Sequence, residues 1–240
     1  MEIIYEDGWI LVCYKEAGLP VESSRIGTMD LVSILKNRLH EKNGGNREPY
    51  LGVVHRLDQP VEGLLVFAKN RKAAGALSAQ VQDDRMKKIY RAVVRPVRSD
   101  IPRQGVLENW LLQDRKTNSS RIVPEKTPGA KKARLEYEIL SRTGQAALAQ
   151  IYLFTGRHHQ IRVQMAGAGM PLAGDRKYGS SGEHGAEGNR EDDWKNGQKI
   201  REIPFPALCA SSLTLVHPSS GKSMEFHCQP RGEAFSWFPA

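Results

Sequence analysis

The sequence has few of the features that mark exported, disulfide-bonded or membrane-spanning proteins. It contains only three cysteines in 240 residues, Cys13, Cys209 and Cys228. Because they are odd in number and far apart, they suit neither a disulfide framework nor a zinc ribbon, and they favour a reducing cytoplasm. No apolar run approaches the length needed to cross a bilayer, and the first ten residues carry acidic side chains where a signal peptide would carry Lys or Arg. We therefore expect a cytoplasmic protein that does not associate with a membrane.

The sequence also lacks the common motifs for cofactors, metals and activated nucleophiles. Its one glycine-rich run, GEHGAEG, has neither the lysine of a P-loop nor the strand–helix setting of a dinucleotide site. His158 and His159 are adjacent, so on a helix they would point in different directions and chelate a metal poorly. No motif anchors a Ser or Cys triad. We expect neither a metal nor a cofactor.

Positive charge, by contrast, is abundant. Lys and Arg number 35 against 27 Asp and Glu, for a net charge of +8 and a pI near 9.4. Such an excess attracts polyanions, most often nucleic acid, although a protein can also be basic only on average. The segment from Asp114 to Arg134 concentrates seven basic residues against two acidic ones. It is either a hairpin or loop that contacts phosphates or simply a solvated loop.

Hydrophobic periodicity predicts a mixture of strands and helices in one domain, residues 1–240, with a polar insertion at about 180–199. Helices are expected from Thr28, with Asp30 in the first turn, from Arg71 to Asp83, and from near Arg157 or His158 to Gly169. Strands are expected at 3–22 (two strands turning at 6–8), 86–94, 135–140 with 146–154 (turning at 143–144), 213–217 and 223–227. Tyr90 lies on one of these strands, and a core position is its default interpretation.

The stretch from Val53 to Asn70, VVHRLDQPVEGLLVFAKN, is typical of a strand, a polar bend and a second strand. It places Arg56 and Asp58 in a loop braced by buried strands, as functional side chains often are. Arg56 and Asp58 could equally be an exposed pair of charged residues in a surface turn. An aspartate can act as a nucleophile toward a sugar carbon or as a general base, provided that it is ionised and firmly held. Arg162 is the candidate cation to hold it.

A second informative stretch runs from Phe154 to Gly179. The expected start of its helix combines free backbone amides with Arg157, His158 and Arg162. Such a start suits a phosphate or a carboxylate, and the alternative is a solvated basic helix end.

Three ordered motifs carry a resemblance to a known family. His55-Arg56-Leu57-Asp58 followed by residues 63–69 resembles the signature of the RluA-type pseudouridine synthases. Residues 88–92 are similar to the Lys-x-Tyr-x-Ala strand of that family, and residues 155–162 to its Thr-Gly-Arg-Thr-His-Gln-Ile-Arg segment. Gly174-Asp175 and Tyr178-Gly179 follow in the familiar order, and the match spans nearly the whole chain.

The resemblance implies an α+β catalytic domain around a curved, mainly antiparallel mixed sheet flanked by helices, with a central RNA-binding cleft. It implies isomerisation of uridine to pseudouridine in structured ribosomal or transfer RNA, without a cofactor and by a monomer. Asp58 is then the nucleophile, Tyr90 stacks on the flipped base and assists removal of the C5 proton, and Arg162 pairs with Asp58. The residues implied in substrate binding are Arg56, which holds the flipped-out RNA, Ile161, which lines the base pocket, and His55, Lys88, Arg157 and Gln160.

The chain departs from the family pattern at a few positions. Val61-Glu62 stands where the family usually has Thr-Ser, His158 replaces a Thr, and Glu16 replaces a Pro. We expect Glu62 to add negative charge near the RNA path and so to affect substrate choice or rate. Many family members also carry a small N-terminal RNA-binding domain, whereas this chain is expected to begin directly with the catalytic core. Two competing hypotheses are an RNA-binding protein without activity and a glycosidase-like enzyme acting on free nucleosides.

Overall fold

The computed structural model describes residues 1–25, 27–45, 48–98, 100–144, 146–179, 194–195, 198–199 and 203–238. The chain divides into two compact units. The first unit comprises Met1–Arg91, Tyr152–Phe154 and Cys209–Arg231, and the second comprises Ala92–Ile151, Thr155–Leu208 and Gly232–Ala240. The organisation as a single domain stays a prediction.

The elements of the first unit are β1 (Glu2–Glu6), β2 (Ile10–Lys15), α1 (Leu31–Lys42), β3 (Gly52–Val53), β4 (Glu62–Ala68), α2 (Arg71–Gln82), β12 (Leu208–Val216, whose first residue belongs to the second unit) and β13 (Ser223–His227). Four of its strands are neighbours in the order β1-β2-β4-β12. The pairings are antiparallel for β1 with β2, β2 with β4, β3 with β4 and β12 with β13, and parallel for β4 with β12. All residues of β2 and β4 are buried, which makes these two strands the centre of the unit.

The apolar faces of α2 and of these strands pack into one core. Its buried members include Ile10, Leu64, Val66, Leu77 and Leu213. Burial of such side chains is the main favourable term in folding, at roughly 1.5–3 kcal/mol for each large one. Helix α2 begins after Asn70, whose side chain accepts a hydrogen bond from the Ala73 amide. The predicted helix at 71–83 is therefore confirmed to within one residue.

The start of α1 differs from the prediction. The capping residue is Asp30, not Thr28, and the helix begins at Leu31. The Asp30 carboxylate accepts hydrogen bonds from the amides of Ser33 and Ser23, at 2.7 and 2.8 Å. A carboxylate that satisfies two amides at once, one of them outside the helix, is a stronger cap than a threonine hydroxyl.

The second unit contains helix α3 (Gln160–Gly167) and four neighbouring strands. Their order is β9 (Ala146–Leu153), β8 (Lys131–Thr143), β6 (Gln104–Asp114) and β7 (Ser119–Val123). Strand β6 pairs antiparallel with both β7 and β8, so the first part of the basic segment 114–134 lies in a hairpin that turns at residues 115–118. Leu111, Ala133 and Val163 form a small buried cluster between these strands and α3. The last two residues of β9 belong to the first unit. The second unit also contains β10 (Trp194–Lys195), β11 (Gln198–Lys199) and a 3-10 helix (Glu233–Trp237).

Strand β5 (Lys87–Val94) runs from the first unit into the second. The described part of the chain thus combines antiparallel and parallel strand pairs with three α-helices, which confirms the α+β fold class. Apart from β10 and β11, the predicted insertion at 180–199 lies outside the described residues. Among the described helices, none has the length and apolar character that a membrane span requires.

Candidate active site

The loop that carries Asp58 joins two paired strands. Gly52 and Val53 of β3 lie opposite Ala68 and Phe67 of the fully buried β4. The intervening residues 54–61 form the loop, in which Arg56 is exposed and Asp58 is half-buried. The Asp58 carbonyl accepts a hydrogen bond from the Val61 amide at 3.0 Å. The predicted strand–loop–strand arrangement is confirmed.

A buried lysine anchors this loop, and the sequence analysis missed it. Lys15, at the end of β2, is completely buried. Its Nζ donates hydrogen bonds to the carbonyls of Gln59, Leu19 and Glu16, at 2.9, 2.8 and 3.0 Å. The Gln59 side chain donates a hydrogen bond to the Gly18 carbonyl, and the Gly18 amide donates one to the Gln59 carbonyl. These bonds also join the Asp58 loop to the segment that follows β2. The available signal was a lysine at the end of the otherwise apolar strand ILVCYK.

The charge of Lys15 also acts on Asp58. Burial lowers the pKa of Lys15 to about 8, even though the negative charges of Asp58 and Glu62 act to raise it. At neutral pH the side chain therefore remains an ammonium. A cation near a carboxylate favours its ionised form, which is the form that a nucleophile requires.

Tyr90 lies on β5 with its side chain buried, as expected of a core position. Burial raises the pKa of the Tyr90 phenol, and the nearby negative charge of Asp58 raises it further. The phenol is therefore neutral at neutral pH. It can offer a ring face and a hydroxyl hydrogen, and its oxygen can accept a hydrogen bond.

Glu62 has partners inside the first unit. Its side chain is buried, and its carboxylate accepts hydrogen bonds from the Tyr14 hydroxyl at 2.6 Å and from the Arg231 amide at 3.0 Å. The Arg231 guanidinium lies 4.1 Å from the centre of the Tyr14 ring, where a cation–π attraction operates. The negative charge of Glu62 is thus enclosed within the first unit, and its expected effect on substrate choice or rate stays a prediction. The residue that departs from the family pattern has an internal partner.

Two of the predicted substrate-binding residues have internal roles in the first unit. The His55 imidazole accepts a hydrogen bond from the Val66 amide through Nε2, at 3.1 Å. Burial lowers the pKa of His55 to about 3, and the positive charge of Lys88 adds to the effect, so the ring is neutral and able to accept. Burial also lowers the pKa of Lys88. His55 braces the loop against β4; contact of either residue with substrate stays a prediction.

Arg162, on α3 in the second unit, is held by a carboxylate that the sequence analysis did not identify as its partner. Its Nε and Nη2 donate to the two oxygens of Asp175, at 2.7 and 2.8 Å, and both side chains are buried. Asp175 also accepts from the amides of Lys177 and Tyr178. This bidentate pair fixes the plane of the guanidinium. Asp58 and Arg162 belong to different units, and their predicted pairing stays a prediction.

A hydrogen-bonded network surrounds the start of α3. His159 has a left-handed backbone, with φ 53°, and for this reason the helix begins at Gln160 and not at Arg157 or His158. The Tyr178 hydroxyl accepts a hydrogen bond from the Ser120 amide and is hydrogen-bonded to His159 Nδ1, each at 2.8 Å. Burial, and then the nearby cationic Arg162, lower the pKa of His159 to about 3, which keeps the ring neutral.

His158, the replacement for the usual threonine of the family, is anchored in the same network. Its Nδ1 lies 2.9 Å from the Ser120 hydroxyl and its Nε2 lies 3.1 Å from the Asn118 side chain. Both partners belong to the β6–β7 hairpin. The imidazole therefore connects the start of α3 to the basic hairpin, over a distance that a threonine side chain does not span.

The start of α3 does not leave all its amides free for an anion. The Arg157 amide donates to the Gln160 side chain at 3.0 Å, and the Arg157 guanidinium donates to the Lys132 carbonyl at 2.9 Å. Gln160 is buried and also bonds to the Thr155 hydroxyl and the Arg134 carbonyl. The expectation of free amides at this position is wrong for Arg157, because a side chain three residues later satisfies that amide. Ile161 is buried. Substrate contact by these residues stays a prediction.

Similarity to known proteins agrees with this arrangement. The family model described as RNA pseudouridylate synthase matches residues 9–167. "Ribosomal large subunit pseudouridine synthase D" from Pseudomonas aeruginosa is 34% identical over 237 residues, covering 99% of this chain and 70% of that protein. The protein of the same name from Neisseria meningitidis is 33% identical over 229 residues, covering 94% of this chain and 57% of its own length. The solved structure of human RNA Pseudouridylate Synthase Domain Containing 4 matches with a TM-score of 0.75 at 25% identity, covering 98% of this chain and 90% of that chain.

The model match covers more than half of the chain, and it includes the loop of Asp58, the strand of Tyr90 and the helix of Arg162. The resemblance noted in the sequence is thereby confirmed: the chain belongs to the RNA pseudouridylate synthase family and is of the RluA type.

Proposed function

We propose that this protein is an RNA pseudouridine synthase, an isomerase that converts specific uridines of ribosomal RNA to pseudouridine with Asp58 as its nucleophile. Family membership supports the reaction, and the names of the relatives favour ribosomal over transfer RNA. The observation that carries the proposal is the loop of Asp58. Its backbone is bound by a buried ammonium group, and its carboxylate acts electrostatically on the buried Tyr90.

The reaction needs no oxidant, reductant or cofactor, because product and substrate are isomers. The Asp58 carboxylate attacks the target nucleotide at the ribose or at the base, and the bond between C1′ and N1 breaks. The uracil rotates, C5 forms a bond to C1′, and the bond between Asp58 and the nucleotide breaks. C5 then loses its proton and N1 gains one. Since the target nucleotide cannot be reached inside a stacked helix, it has to be flipped out of the RNA first.

The other predicted residues then have roles that fit their chemistry. Tyr90 stacks on the flipped uracil and assists removal of the C5 proton. Arg162, already oriented by Asp175, pairs with Asp58. The exposed Arg56 holds the flipped-out RNA. Further substrate contacts are assigned to His55, Lys88, Arg157, Gln160 and Ile161.

The setting of the reaction follows from its substrate. RNA is the partner, the protein acts as a monomer, and it works in the cytoplasm where ribosomal RNA is found. The basic β6–β7 hairpin and the residues after it, up to Arg134, supply positive charge for the RNA backbone. Affinity should accordingly fall steeply with salt.

The Asp58→Asn variant tests the nucleophile, since it removes the charge and keeps the shape. We expect pseudouridine formation to fall by more than about a thousand-fold, because the covalent step has no substitute, while RNA affinity stays within about three-fold. Pseudouridine mapping of total RNA from deleted cells, complemented with either form, measures the first effect, and filter binding measures the second.

The Asp83→Asn variant is a matched control, because it removes an exposed carboxylate that pairs only with neighbouring Arg85 among its described contacts. It should complement fully. If no pseudouridine is lost on deletion, the protein is an RNA binder without this activity. If the purified protein releases uracil from free uridine and binds RNA without salt dependence, the nucleoside glycosidase hypothesis replaces the proposal.

A further inference from the structure

The second unit contains a cavity of about 470 Å³ that includes none of the predicted site residues. One wall is the segment after β5, and the other is the turn between β8 and β9. The lining residues are Arg95, Pro96, Val97, Arg98, Arg142, Gly144, Ala146 and Ala147. A volume of this size falls in the range of small-molecule and nucleotide sites.

Three arginines are among the residues that line this cavity. Arg98 is 79% exposed and lies 3.7 Å from the carboxylate of Asp100, a distance too long for a strong exposed pair. Arg142 donates to the Ile101 carbonyl at 2.7 Å, and Arg95 lies 5.4 Å from the centre of the Trp237 ring. These contacts orient the side chains of Arg95 and Arg142. Guanidinium groups favour phosphate because their planar fork can donate two hydrogen bonds to it.

The backbone on the first wall is fixed in place. The amides of Arg95 and Val97 donate to the carbonyls of Pro171 and Gly169, at 2.8 and 2.9 Å. Gly169 has φ 75°, and a Cβ there would approach Val97 to 3.1 Å, so this close approach favours glycine. The cavity wall is therefore organised before any ligand binds, which lowers the entropic cost of binding.

The cavity also offers apolar surface beside its charges. Val97 is 54% exposed, and Pro96, Ala146 and Ala147 line the same space. A site for a small inorganic anion does not need this surface. A nucleotide does, because its sugar and base lie next to its phosphate, and sequence-tolerant RNA sites combine basic groups with faces on which a base can rest.

We propose that this cavity is an auxiliary RNA site, in which Arg95, Arg98 and Arg142 bind a phosphodiester of the substrate and Val97 contacts the adjoining nucleoside. The nucleotide bound there is not the one that reacts. The inference rests on the proposed function only for the choice of RNA as the polyanion. The site would add affinity and help select RNAs with a segment that reaches it.

The test compares two double variants that each remove two positive charges. Arg98→Ala/Arg142→Ala alters the cavity. Arg103→Ala/Arg85→Ala is the control, because Arg103 is also 79% exposed with a carboxylate at 3.9 Å, and Arg85 is exposed with one carboxylate partner. The probe is unmodified large-subunit ribosomal RNA transcript, and its dissociation constant is measured across a series of KCl concentrations. Neither control residue is assigned to the active site or to the cavity.

The cavity variant should bind about ten-fold more weakly at about 0.1 M salt and should reduce the slope of log affinity against log salt by roughly 1–2, as expected for loss of two phosphate contacts. It should raise KM and leave kcat within about two-fold. The control should change the slope by less than about 0.3. Equal slopes for the two variants would overturn the proposal. If the cavity variant fails to fold, Arg98→Ala alone is compared with the control. It should reduce the slope of log affinity against log salt by about half as much.

This outcome is separable from that of the proposed function. A slope difference in a protein that forms no pseudouridine would sustain the RNA site and reject the enzymatic activity. Normal pseudouridine formation with no slope difference would reject the site and sustain the activity.

Discussion

The protein holds its two principal charged residues in different ways. The loop of Asp58, in the first unit, is secured through its backbone, where Lys15 binds the neighbouring Gln59 carbonyl. Arg162, in the second unit, is secured through its own side chain by the carboxylate of Asp175. The two anchors therefore fix different things: Lys15 fixes the backbone of the Asp58 loop, whereas Asp175 fixes the plane of the Arg162 guanidinium.

The largest effect is expected from breaking the direct pair. Asp175→Ala leaves the buried Arg162 guanidinium without its bidentate partner, and we expect a loss of about 3–5 kcal/mol in the free energy of unfolding. Urea denaturation followed by circular dichroism measures the loss. The variant should also lose activity, since the plane of Arg162 is no longer fixed.

The Arg162→Leu/Asp175→Leu variant is a second test of the same pair. Because it removes both charges, no buried guanidinium is left without the Asp175 carboxylate. It should recover most of the lost stability but none of the activity. A single variant as stable as the wild type would show that Asp175 does not hold Arg162 in solution.

The indirect anchor should have a smaller effect on stability and a clear effect on rate. Lys15→Met keeps the length of the side chain but leaves three carbonyls without their donor, at an expected cost of about 2–3 kcal/mol in the free energy of unfolding. We expect kcat to fall about ten- to hundred-fold, since a small displacement of the Asp58 loop misplaces the nucleophile. Denaturation and single-turnover kinetics measure the two effects.

Lys87→Met is the control for that variant, because Lys87 is exposed and its described contact is an ion pair with Asp84. It should change stability by less than about 0.5 kcal/mol. Loss of stability in Lys15→Met with an unchanged kcat would show that Lys15 supports the fold and does not position Asp58.

The smallest effect concerns pH. The pKa of Lys15 is about 8 in the folded protein and near 10.5 when unfolded. Between these values the unfolded chain binds more protons than the folded one, so the Lys15 contribution to stability rises with pH. The stability difference between wild type and Lys15→Met should therefore grow in favour of the wild type by about 2 kcal/mol from pH 7.5 to 10. Denaturation at a series of pH values measures it, and a difference that stays constant or shrinks would contradict the lowered pKa.

Local patterns predicted much of the architecture. The runs on either side of the polar bend identified the strands around Asp58, alternation identified the strand of Tyr90, and helical spacing identified α2. These signals are local because backbone periodicity and capping act over a few residues. The predicted helix starts at Thr28 and near Arg157 are both too early. The first helix starts later because the Asp30 carboxylate caps it while also binding the Ser23 amide outside the helix. The other starts later because His159 has a left-handed backbone.

The contacts of the buried charges were not predictable in this way. Lys15 binds a carbonyl 44 residues away, and Glu62 binds an amide 169 residues away. For this reason the internal partners of Glu62 were not identified from the sequence. Cys209 and Cys228, 19 residues apart in the sequence, likewise have sulfur atoms only 3.9 Å apart.

The amino-acid sequence by itself determined the family, the reactive candidates Asp58, Tyr90 and Arg162, and the basic character that points to RNA, because these depend on residue identity and order. Only the tertiary structure decided that Lys15 anchors the loop of Asp58, that Asp175 orients Arg162, that Glu62 is enclosed, and that three arginines line a cavity in the second unit. A charge can be buried only where folding brings it a partner, and that partner is set by the packing of distant segments.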